Sequence, residues 1–299
     1  MVLAAGFGTR LRPLTDERPK PLCPIGDRPQ IDHVILRLAA AGVPRVVVNV
    51  YHLAEAYDDA WRDAQPIPVS VVRETGKILG TAGGVANAAS AIGDGECLVY
   101  NGDILSGVDV AAVVAEHRLS GAAATLVVKR SPGGRVGVGP DGHITRLRDV
   151  RHGVESWGAE YLGIAVLGTA IRARLPLEGC LVGDVLIPAM REGVALGVFA
   201  FEGGYADTGS LDEYLEANLA WLGDRASWMG EGAQVAPGVE LDRVVVGAGA
   251  RVEGSGRLER CVVWPNATAR APLARAIVTS RTVVSVPPAS SSATPASHG

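Results

Sequence analysis

The sequence has no long apolar run and no lysine-rich stretch, and it carries a formal net charge of −4. A helix that crosses a membrane needs about 18 or more consecutive apolar residues, so the chain is not predicted to span one. Binding to nucleic acid is usually marked by a dense basic patch, which this composition does not supply. We therefore expect neither a membrane nor a nucleic acid as a partner.

Cysteine is also scarce. The 299 residues include four cysteines, which lie far apart at Cys23, Cys97, Cys180 and Cys261. This spacing offers no metal-binding pair, and reduced thiols in a cytoplasmic protein are the simplest interpretation. The first apolar run begins directly after Met1, which leaves no room for a signal peptide. We therefore predict a cytoplasmic protein.

Hydrophobic residues make up 47% of the chain, which is enough for a sizeable core. Strand-like apolar runs are found at Val2–Ala5, Arg45–Val50, Val69–Val72 and Cys97–Asn101. Stretches with helical spacing separate them, at residues 31–38, 53–61 and 82–91. This alternation predicts an α/β fold whose parallel sheet is covered on both faces. A helix at residues 110–120 and a strand at 124–129 follow, and shorter apolar runs then indicate a partly antiparallel region at residues 136–138, 144–147 and 162–167.

A glycine-rich turn follows the first predicted strand. It reads Gly6-Phe7-Gly8-Thr9-Arg10, and Arg12 and Lys20 come soon after it. Glycine lets the backbone turn sharply and approach a ligand closely, and the freed N–H groups can hold anionic oxygens. With three cations nearby, this pattern favours a triphosphate over a neutral ligand. A dinucleotide fingerprint, G-x-G-x-x-G, is not matched, because Leu11 stands in place of its third glycine.

This stretch resembles the signature of the sugar-nucleotide pyrophosphorylases, which are nucleotidyltransferases that act on sugar 1-phosphates. The family pattern, G-x-G-T-R-L-x-P-L-T followed by P-K-P, is matched at Gly6, Gly8, Thr9, Arg10, Leu11, Pro13, Leu14, Thr15, Pro19, Lys20 and Pro21. The resemblance implies a Rossmann-like, doubly wound mixed sheet. It also implies catalytic roles for Arg10 and Lys20, and nucleotide binding by Leu3, Ala4, Ala5, Gly6, Gly8 and Thr9.

Two aspartates lie in further segments that match the family in order. Asp103 follows the apolar strand Cys97–Asn101, a position where a carboxylate is costly unless it meets a cation. Asp207 lies in Asp207-Thr208-Gly209, which resembles the family's D-T-G segment. The resemblance implies that Asp103 and Asp207 hold a catalytic Mg²⁺ and that Asp103 is a catalytic residue. Hard oxygen ligands of this kind suit Mg²⁺.

A fourth matching segment runs from Glu74 to Val85 and resembles the family's L-G-T-A-G motif, which lies against the nucleobase. Gly80, Thr81 and Gly83 are the implied nucleotide-binding positions, and Thr81 is also expected to cap the following helix. Glu74 stands where relatives carry a residue that reads the base. Its carboxylate would accept N–H donors of guanine, uracil or thymine. A solvent-exposed loop acid is the alternative.

One expected feature is missing from the sugar-phosphate region. Relatives carry a lysine in an E-K-P segment, whereas residues 144–151 read I-T-R-L-R-D-V-R. Arg146, Arg148 or Arg151 can supply the positive charge, although a planar guanidinium differs from a lysine's point charge. Tyr161 stands near the family's sugar-binding asparagine. Arg146, Arg148 and Tyr161 are therefore the sugar-phosphate candidates.

The pattern of the sequence changes near residue 231. Val246, Val252, Leu258 and Trp264 recur every six residues, which is the period of hexapeptide β-helices. The predicted domains are a nucleotidyltransferase domain at 1–225, a short left-handed hexapeptide β-helix at 231–286, and a disordered Pro/Ser/Ala-rich tail at 287–299. A short solenoid needs neighbours to bury its faces, which leaves homo-oligomerisation open.

Together these features predict Mg²⁺-dependent transfer of a nucleotidyl group from a nucleoside triphosphate to a sugar 1-phosphate, with release of pyrophosphate. The pattern is nearest to mannose-1-phosphate guanylyltransferase-like chains, so GTP and mannose 1-phosphate are the first expectation. Uridylyl or thymidylyl transfer to a hexose 1-phosphate is one alternative. A non-catalytic nucleotide-sugar-binding regulator is the other, because regulatory homologues of this fold exist.

Overall fold

The structure is a computed structural model that describes residues 1–287. It divides into two compact units. The first unit contains Met1–Phe7, Arg18–Pro21 and Gln30–Ala206, and the second contains Gly8–Glu17, Leu22–Pro29 and the chain from Asp207 onward. The predicted domain boundaries near residues 225 and 231 stay predictions. The predicted disordered tail lies, apart from Pro287, outside the described residues.

Helices and strands alternate along most of the described chain, and its last part is almost entirely β. The α-helices span Leu14–Glu17, Gln30–Ala40, Asp59–Asp63, Gly80–Asn87, Ala89–Ile92, Val110–Ser120, Thr169–Arg172, Ile187–Arg191 and Leu211–Leu222. Short 3₁₀ turns span Thr9–Leu11, Lys20–Leu22 and Ala54–Ala56, and a π-helical turn spans Leu181–Leu186. The strands span Val2–Leu3, Pro24–Ile25, Arg28–Pro29, Val46–Val50, Val69–Arg73, Cys97–Asn101, Ile104–Ser106, Ala124–Arg130, Val136–Val138, Ile144–Leu147, Val150–Arg151, Trp157–Leu167, Leu196–Ala200, Tyr205–Asp207, Ser227–Met229, Gln234–Val235, Val239–Val246, Arg251–Val263, Thr268–Val278 and Val283–Ser285. Among residues 1–287, the helices are all too short or too polar to cross a membrane.

Four parallel strands form the centre of the first unit, as the alternating pattern predicted. In sheet order they are Val69–Arg73, Val46–Val50, Val2–Leu3 and Cys97–Asn101. Val46–Val50 is buried at every position, because both faces of a parallel sheet are covered. The four strands end at the same edge of the sheet, and Asp103 lies just beyond the last of them.

The sheet continues with antiparallel strands and is therefore mixed. Trp157–Leu167 pairs antiparallel with Cys97–Asn101 on one side and with Ala124–Arg130 on the other. Its first residues also pair with Val136–Val138. Since Trp157–Leu167 runs against Cys97–Asn101, it begins beyond the edge at which that strand ends. The predicted α/β architecture with a mixed sheet is thus confirmed.

One predicted helix is broken in the structure. Helical spacing over residues 53–61 predicted a continuous helix, whereas a 3₁₀ turn at Ala54–Ala56 is followed by a separate α-helix at Asp59–Asp63. The cause is Asp58, whose carboxylate accepts a hydrogen bond from the Trp61 amide at 2.8 Å. An aspartate in this geometry is an N-cap, and it favours the start of a new helix at its own position.

Parallel strands stacked at a nearly regular step form most of the second unit. Val244 pairs with Cys261 and Cys261 pairs with Ala276, so equivalent positions of successive layers are 17 and 15 residues apart. The residues that recur every six positions are all buried, namely Val246, Val252, Leu258 and Trp264. The periodic pattern therefore marks the core of these strands.

Arginines at equivalent positions of three successive strands hold the helix Leu211–Leu222. Arg260 donates to both carboxylate oxygens of Glu216, at 2.7 and 2.8 Å, and Arg275 donates to the same carboxylate at 3.1 Å. Arg243 donates to a backbone carbonyl in the last turns of the helix at 2.9 Å. Burial opposes the charge on Glu216, but the two arginines beside it hold the pKa of that carboxyl below its usual value. Charge-assisted hydrogen bonds, which are stronger than neutral ones, thus fix this helix to the C-terminal strands.

Candidate functional site

The glycine-rich turn leaves the sheet directly after the first strand. Gly8 lies in the left-handed region at φ 62°, where a side chain is disfavoured, and its carbonyl accepts a hydrogen bond from Thr15 Oγ1 at 3.0 Å. A Cβ placed on Gly6 would meet no atom of residues 1–287 within 4 Å. The backbone at Gly6 therefore borders open space, as a binding site for anionic oxygens requires.

Lys20 and Asp103, which the motifs single out separately, form an ion pair in the first unit. Lys20 Nζ lies 2.6 Å from Asp103 Oδ2, and the two side chains are 9% and 30% exposed. Gln30 Nε2 donates to the Lys20 carbonyl at 3.0 Å and fixes the backbone there. Asp103 thus meets the cation that a carboxylate beyond a buried strand needs.

Gly102 holds Asp103 close to the edge of the sheet. The Gly102 amide donates to the Leu3 carbonyl oxygen at 2.8 Å. A Cβ on Gly102 would lie 3.0 Å from that oxygen, which is tighter than ordinary contact. A larger residue would have to displace that carbonyl by a few tenths of an ångström, so glycine suits the close approach of this turn to the end of the first strand.

Asp103 has the donor chemistry of a metal ligand. Carboxylate oxygens are the hard donors that Mg²⁺ prefers, and the side chain is partly exposed. Among residues 1–287, no group of three or more His, Cys, Asp or Glu side chains is placed to hold a metal ion. A metal at Asp103 would therefore need further oxygens, such as those of bound phosphates, and it would compete with Lys20 for Oδ2. Asp207, the other predicted ligand, belongs to the second unit.

In the second unit, the structure brings together two family segments that are far apart in the sequence. A Cβ built on Gly209 would lie 2.9 and 3.1 Å from the two terminal nitrogens of Arg10, so the guanidinium packs directly on this glycine. Ser210 caps the next helix and accepts a hydrogen bond from the Glu213 amide at 3.3 Å. The D-T-G segment thus provides a flat surface for Arg10, a role for its glycine that the motif comparison did not reveal.

Glu74 is buried, with 5% of its surface exposed, so its interpretation as an exposed loop acid is wrong. Asn49 Nδ2 donates to Glu74 Oε1 at 2.7 Å, and the Leu79 amide donates to Oε2 at 2.7 Å. Asn49 Oδ1 in turn accepts a hydrogen bond from the Ala4 amide at 3.0 Å. Both carboxylate oxygens are therefore engaged by the protein, which favours a positioning role for Glu74 over direct reading of a nucleobase.

Asn49 is a candidate site residue that motif comparison missed. It is 2% exposed and is the polar member of the strand Val46–Val50, V-V-V-N-V. An isolated amide in a buried apolar strand is a usable signal, because buried polar groups must find hydrogen-bond partners. Its bond to Ala4 also explains why the first strand ends at Leu3 and not at Ala5, since that amide binds a side chain in place of a neighbouring strand.

Replacing Glu74 by glutamine is expected to lower the free energy of unfolding by about 1–3 kcal/mol, because the glutamine NH₂ would face a donor from Asn49 or Leu79. Urea titration followed by circular dichroism measures the change. Glu178→Gln is the matched control, since Glu178 is an exposed acid paired with Lys77, and it should stay within about 0.5 kcal/mol. Equal stability of the two variants would show that Glu74 does not hold its neighbours in place.

The L-G-T-A-G segment packs against residues 177–181 of its own unit. A Cβ on Gly83 would lie 2.6 Å from a backbone oxygen of that stretch, and the Leu181 amide donates to Thr81 Oγ1 at 2.7 Å. The expectation that Thr81 caps the helix is therefore wrong, because the N-cap position is Leu79, which makes no side-chain cap bond. Because Gly83 has no Cβ, the backbone of the L-G-T-A-G segment can lie close to the backbone of residues 177–181.

Arg146, one of the sugar-phosphate candidates, is engaged in an ion pair, and Tyr161, another, packs against the hydrophobic core of the first unit. Arg146 forms a two-pronged ion pair with Glu155, with Nε–Oε2 and Nη2–Oε1 distances of 2.7 and 2.9 Å. The hydrogen bond from Arg146 holds the pKa of Glu155 below its usual value, so the pair stays charged. Burial raises the pKa of the Tyr161 hydroxyl. Arg146 would have to break its pair to bind a phosphate.

Arg148, the third candidate, contacts a thiol. Its Nη2 lies 3.1 Å from Cys180 Sγ. Burial opposes ionisation of this thiol, but hydrogen bonds from the amides of Gly183 and Val182 and from Arg148 hold the pKa of Cys180 below its usual value. All four cysteines lie within the described residues and are free thiols, as the sequence predicted.

Residues 1–144 match the family model described as Nucleotidyl transferase. The matched region contains the glycine-rich turn, Lys20, Glu74 and Asp103. The fold of the chain is also similar to a solved structure of HddC from Yersinia pseudotuberculosis, complexed with GMP-PN. The TM-score is 0.62 at 22% identity, over 74% of this chain and 97% of that chain. The solved structure and this chain therefore share a mixed α/β fold, and residues 1–144 carry the nucleotidyl transferase family model.

The chain is also similar to curated proteins that are named as nucleotidyltransferases of sugar 1-phosphates. The chain is 37% identical to a mannose-1-phosphate guanylyltransferase of Mycobacterium tuberculosis, over 44% of this chain and 36% of that protein. It is 32% identical to a mannose-1-phosphate guanyltransferase of Schizosaccharomyces pombe, over 74% and 64%. It is 40% identical to an N-acetylmuramate alpha-1-phosphate uridylyltransferase of Neisseria meningitidis, over 38% and 49%. The chain thus spans about a third to two thirds of the length of these relatives. The family model and these relatives support the sugar-nucleotide pyrophosphorylase (nucleotidyltransferase) family for this chain.

Proposed function

We propose that the protein transfers a nucleotidyl group from a nucleoside triphosphate to a sugar 1-phosphate and releases pyrophosphate. The observation that carries this proposal is the Lys20–Asp103 ion pair at the carboxyl edge of the parallel strands. Ligands of open α/β sheets bind at this edge. A largely buried lysine and a partly exposed carboxylate there suit phosphate oxygens and a divalent cation better than a neutral ligand.

The residues have separable roles in this reaction. The sugar phosphate oxygen attacks the α-phosphorus, so the protein must mainly position two anions and neutralise their charge. Lys20 would bind the α-phosphate or the sugar phosphate, and Arg10 would neutralise charge on the triphosphate. Asp103 would hold a divalent metal, which when bound supplies further neutralisation of phosphate charge. Mg²⁺ as that metal and Asp207 as its second ligand remain predictions from the resemblance.

GTP and mannose 1-phosphate are the proposed substrates. Two relatives, at 37% and 32% identity, are named as guanylyltransferases that act on mannose 1-phosphate. Uridylyl transfer to a hexose-type sugar phosphate is the alternative, because relatives at 36% and 40% identity are uridylyltransferases. Both oxygens of Glu74 already accept hydrogen bonds from the protein, so Glu74 does not by itself favour guanine over uracil.

We also propose that the C-terminal strands form a short left-handed hexapeptide β-helix. The parallel strands stack at steps of 17 and 15 residues, close to the length of three hexapeptides. The apolar residues that recur at every sixth position are also buried, and both observations support this assignment. A cytoplasmic location and homo-oligomerisation stay predictions.

A non-catalytic nucleotide-sugar-binding regulator is the second candidate. It is favoured by the two arginines that were expected to replace the family's lysine, since Arg146 is paired with Glu155 and Arg148 contacts Cys180. A regulator would bind its ligand without turnover, so the two functions differ in whether pyrophosphate is released.

A matrix of five triphosphates (GTP, UTP, dTTP, CTP, ATP) and several sugar 1-phosphates, assayed with Mg²⁺ for pyrophosphate release, tests the proposal. We expect turnover with one preferred pair. In parallel, a thermal-shift screen should show stabilisation by the preferred triphosphate, since a ligand at a hundred times its dissociation constant adds about 2.7 kcal/mol. Stabilisation by a nucleotide sugar without pyrophosphate release from any pair would favour the regulator.

A further inference from the structure

The proposed reaction needs a cation for the sugar phosphate, and the structure offers two, Arg130 and Arg151, of which the sequence comparison named only Arg151 as a possible source of the charge. A cavity of about 550 Å³ in the first unit is lined by Arg130, Ser131, Pro132, Arg151, Glu155, Ser156, Trp157 and Gly158. This volume lies within the range of small-molecule sites, about 300–1,000 Å³. The cavity therefore has room for a phosphorylated monosaccharide.

The two arginines of this cavity have positive charge to spare. Among the described residues, Arg130 forms no ion pair with a carboxylate. Arg151 Nη2 lies 3.5 Å from Glu155 Oε2, but both oxygens of that carboxylate already accept shorter bonds from Arg146. Glu155 therefore neutralises Arg146 first, and the cavity retains an excess positive charge that suits a dianionic phosphate.

Trp157 organises the cavity and adds apolar surface. The guanidinium carbon of Arg130 lies 4.1 Å from the centroid of the Trp157 ring, a cation–π contact. This contact holds an otherwise mobile arginine in place, which lowers the entropy lost on binding. The indole also offers an N–H donor beside an apolar ring, a combination that matches the hydroxyl and C–H faces of a sugar.

The position of the cavity in the sheet agrees with such a ligand. Arg130 pairs in register with Ala159, near the start of Trp157–Leu167. That strand runs antiparallel to Cys97–Asn101, with Ile164 opposite Tyr100. Residues 157–159 therefore lie in the direction in which Cys97–Asn101 ends, which is the edge that carries Asp103.

We infer that Arg130, Arg151 and Trp157 form the pocket for the phosphate-bearing sugar, with the two arginines in place of the family's lysine. This inference rests on the proposed function. It names the substrate class as a sugar phosphate and assigns the contact to residues other than Arg146 and Arg148.

The test combines kinetics and direct binding on the full chain. Arg130→Ala and Arg151→Ala are each expected to raise the KM for mannose 1-phosphate, or for whichever sugar 1-phosphate turns over, by about 10–100-fold, because each removes a charge-assisted bond. The KM for the triphosphate should change less than about threefold. Arg118→Ala is the matched control, because Arg118 is an exposed arginine that is paired with Glu96 and does not line this cavity, and it should leave both constants unchanged.

Isothermal titration with mannose 1-phosphate, inorganic phosphate and free mannose separates the inference from the proposed function. Binding of mannose 1-phosphate that is tighter than binding of inorganic phosphate, and that weakens in Arg130→Ala, supports the pocket even if the protein shows no turnover. Unchanged sugar-phosphate KM values in both variants would overturn the pocket while leaving the transferase proposal intact. Equal affinity for inorganic phosphate and mannose 1-phosphate would overturn the role of Trp157 in sugar recognition. Absence of both turnover and binding would overturn the pocket as well.

Discussion

Replacing Asp103 by asparagine is expected to reduce nucleotidyl transfer by about 10²–10³-fold, the loss typical when one preorganised electrostatic group is removed. Asparagine keeps the shape of the side chain but removes the negative charge that pairs with Lys20 and that would hold a divalent metal in the proposed reaction. The initial rate of pyrophosphate release with the preferred substrate pair measures the effect.

The same substitution should also lower stability, which the sequence alone did not suggest. Asp103 Oδ2 lies 2.6 Å from Lys20 Nζ, and the Lys20 side chain is only 9% exposed, so Asp103→Asn removes a close negative charge from a largely buried ammonium. We expect a loss of about 1–3 kcal/mol in the free energy of unfolding, and Lys20→Met combined with Asp103→Asn should recover part of it. A double-mutant cycle by urea titration gives the coupling between the two residues.

Asp63→Asn is the control for Asp103→Asn, because Asp63 is an exposed aspartate at the end of a helix. It should leave rate and stability unchanged within experimental error. Near-normal turnover of Asp103→Asn would contradict the assignment of Asp103 to the catalytic machinery, whatever its effect on stability.

Replacing Gly80 by alanine is expected to lower the free energy of unfolding by about 2–4 kcal/mol, from left-handed backbone strain and overpacking together. Gly80 has φ +76°, and a Cβ there would lie 2.4 Å from the carbonyl oxygen of Gly179. That oxygen belongs to the backbone and cannot swing away as a flexible side chain would. Urea titration of the purified variant measures the loss.

Gly76→Ala separates the two causes. Gly76 has the same φ of +76°, but a Cβ there would meet no atom of residues 1–287 within 4 Å. Its replacement should therefore cost only the left-handed conformation, about 1–2 kcal/mol. If Gly80→Ala and Gly76→Ala lose the same stability, close packing between the L-G-T-A-G segment and residues 177–181 does not constrain this glycine.

The parallel half of the fold could be predicted because its determinants are local in sequence. Cys97–Asn101 was predicted with the bounds that the structure shows, and Val46–Val50 differs by one residue. The predicted continuous helix over residues 53–61 was wrong because the spacing of apolar residues carries no information about a capping side chain such as Asp58. Propensity and period describe the interior of an element better than its ends.

For the site, the sequence indicated which residues carry charge but not how those charges pair. A carboxylate after a buried strand required a cation, and Lys20 was a candidate, but their contact joins residues 83 positions apart. The same holds for Asn49 and Glu74, whose hydrogen bond joins residues 25 positions apart and favours a positioning role for the carboxylate. Arg146 was selected for its position near the family's lysine, and only its pairing with Glu155 showed that Arg151 and Arg130 are the more available cations.

The sequence by itself determined the family, the strand that precedes Asp103 and the need for glycine beside the first strand, because each follows from residue type and order within a short stretch. Only the tertiary structure decided which charges are neutralised by the protein and which remain for a ligand. Pairing of charges depends on distances of about 3 Å between residues far apart in the chain, and no local pattern specifies those distances.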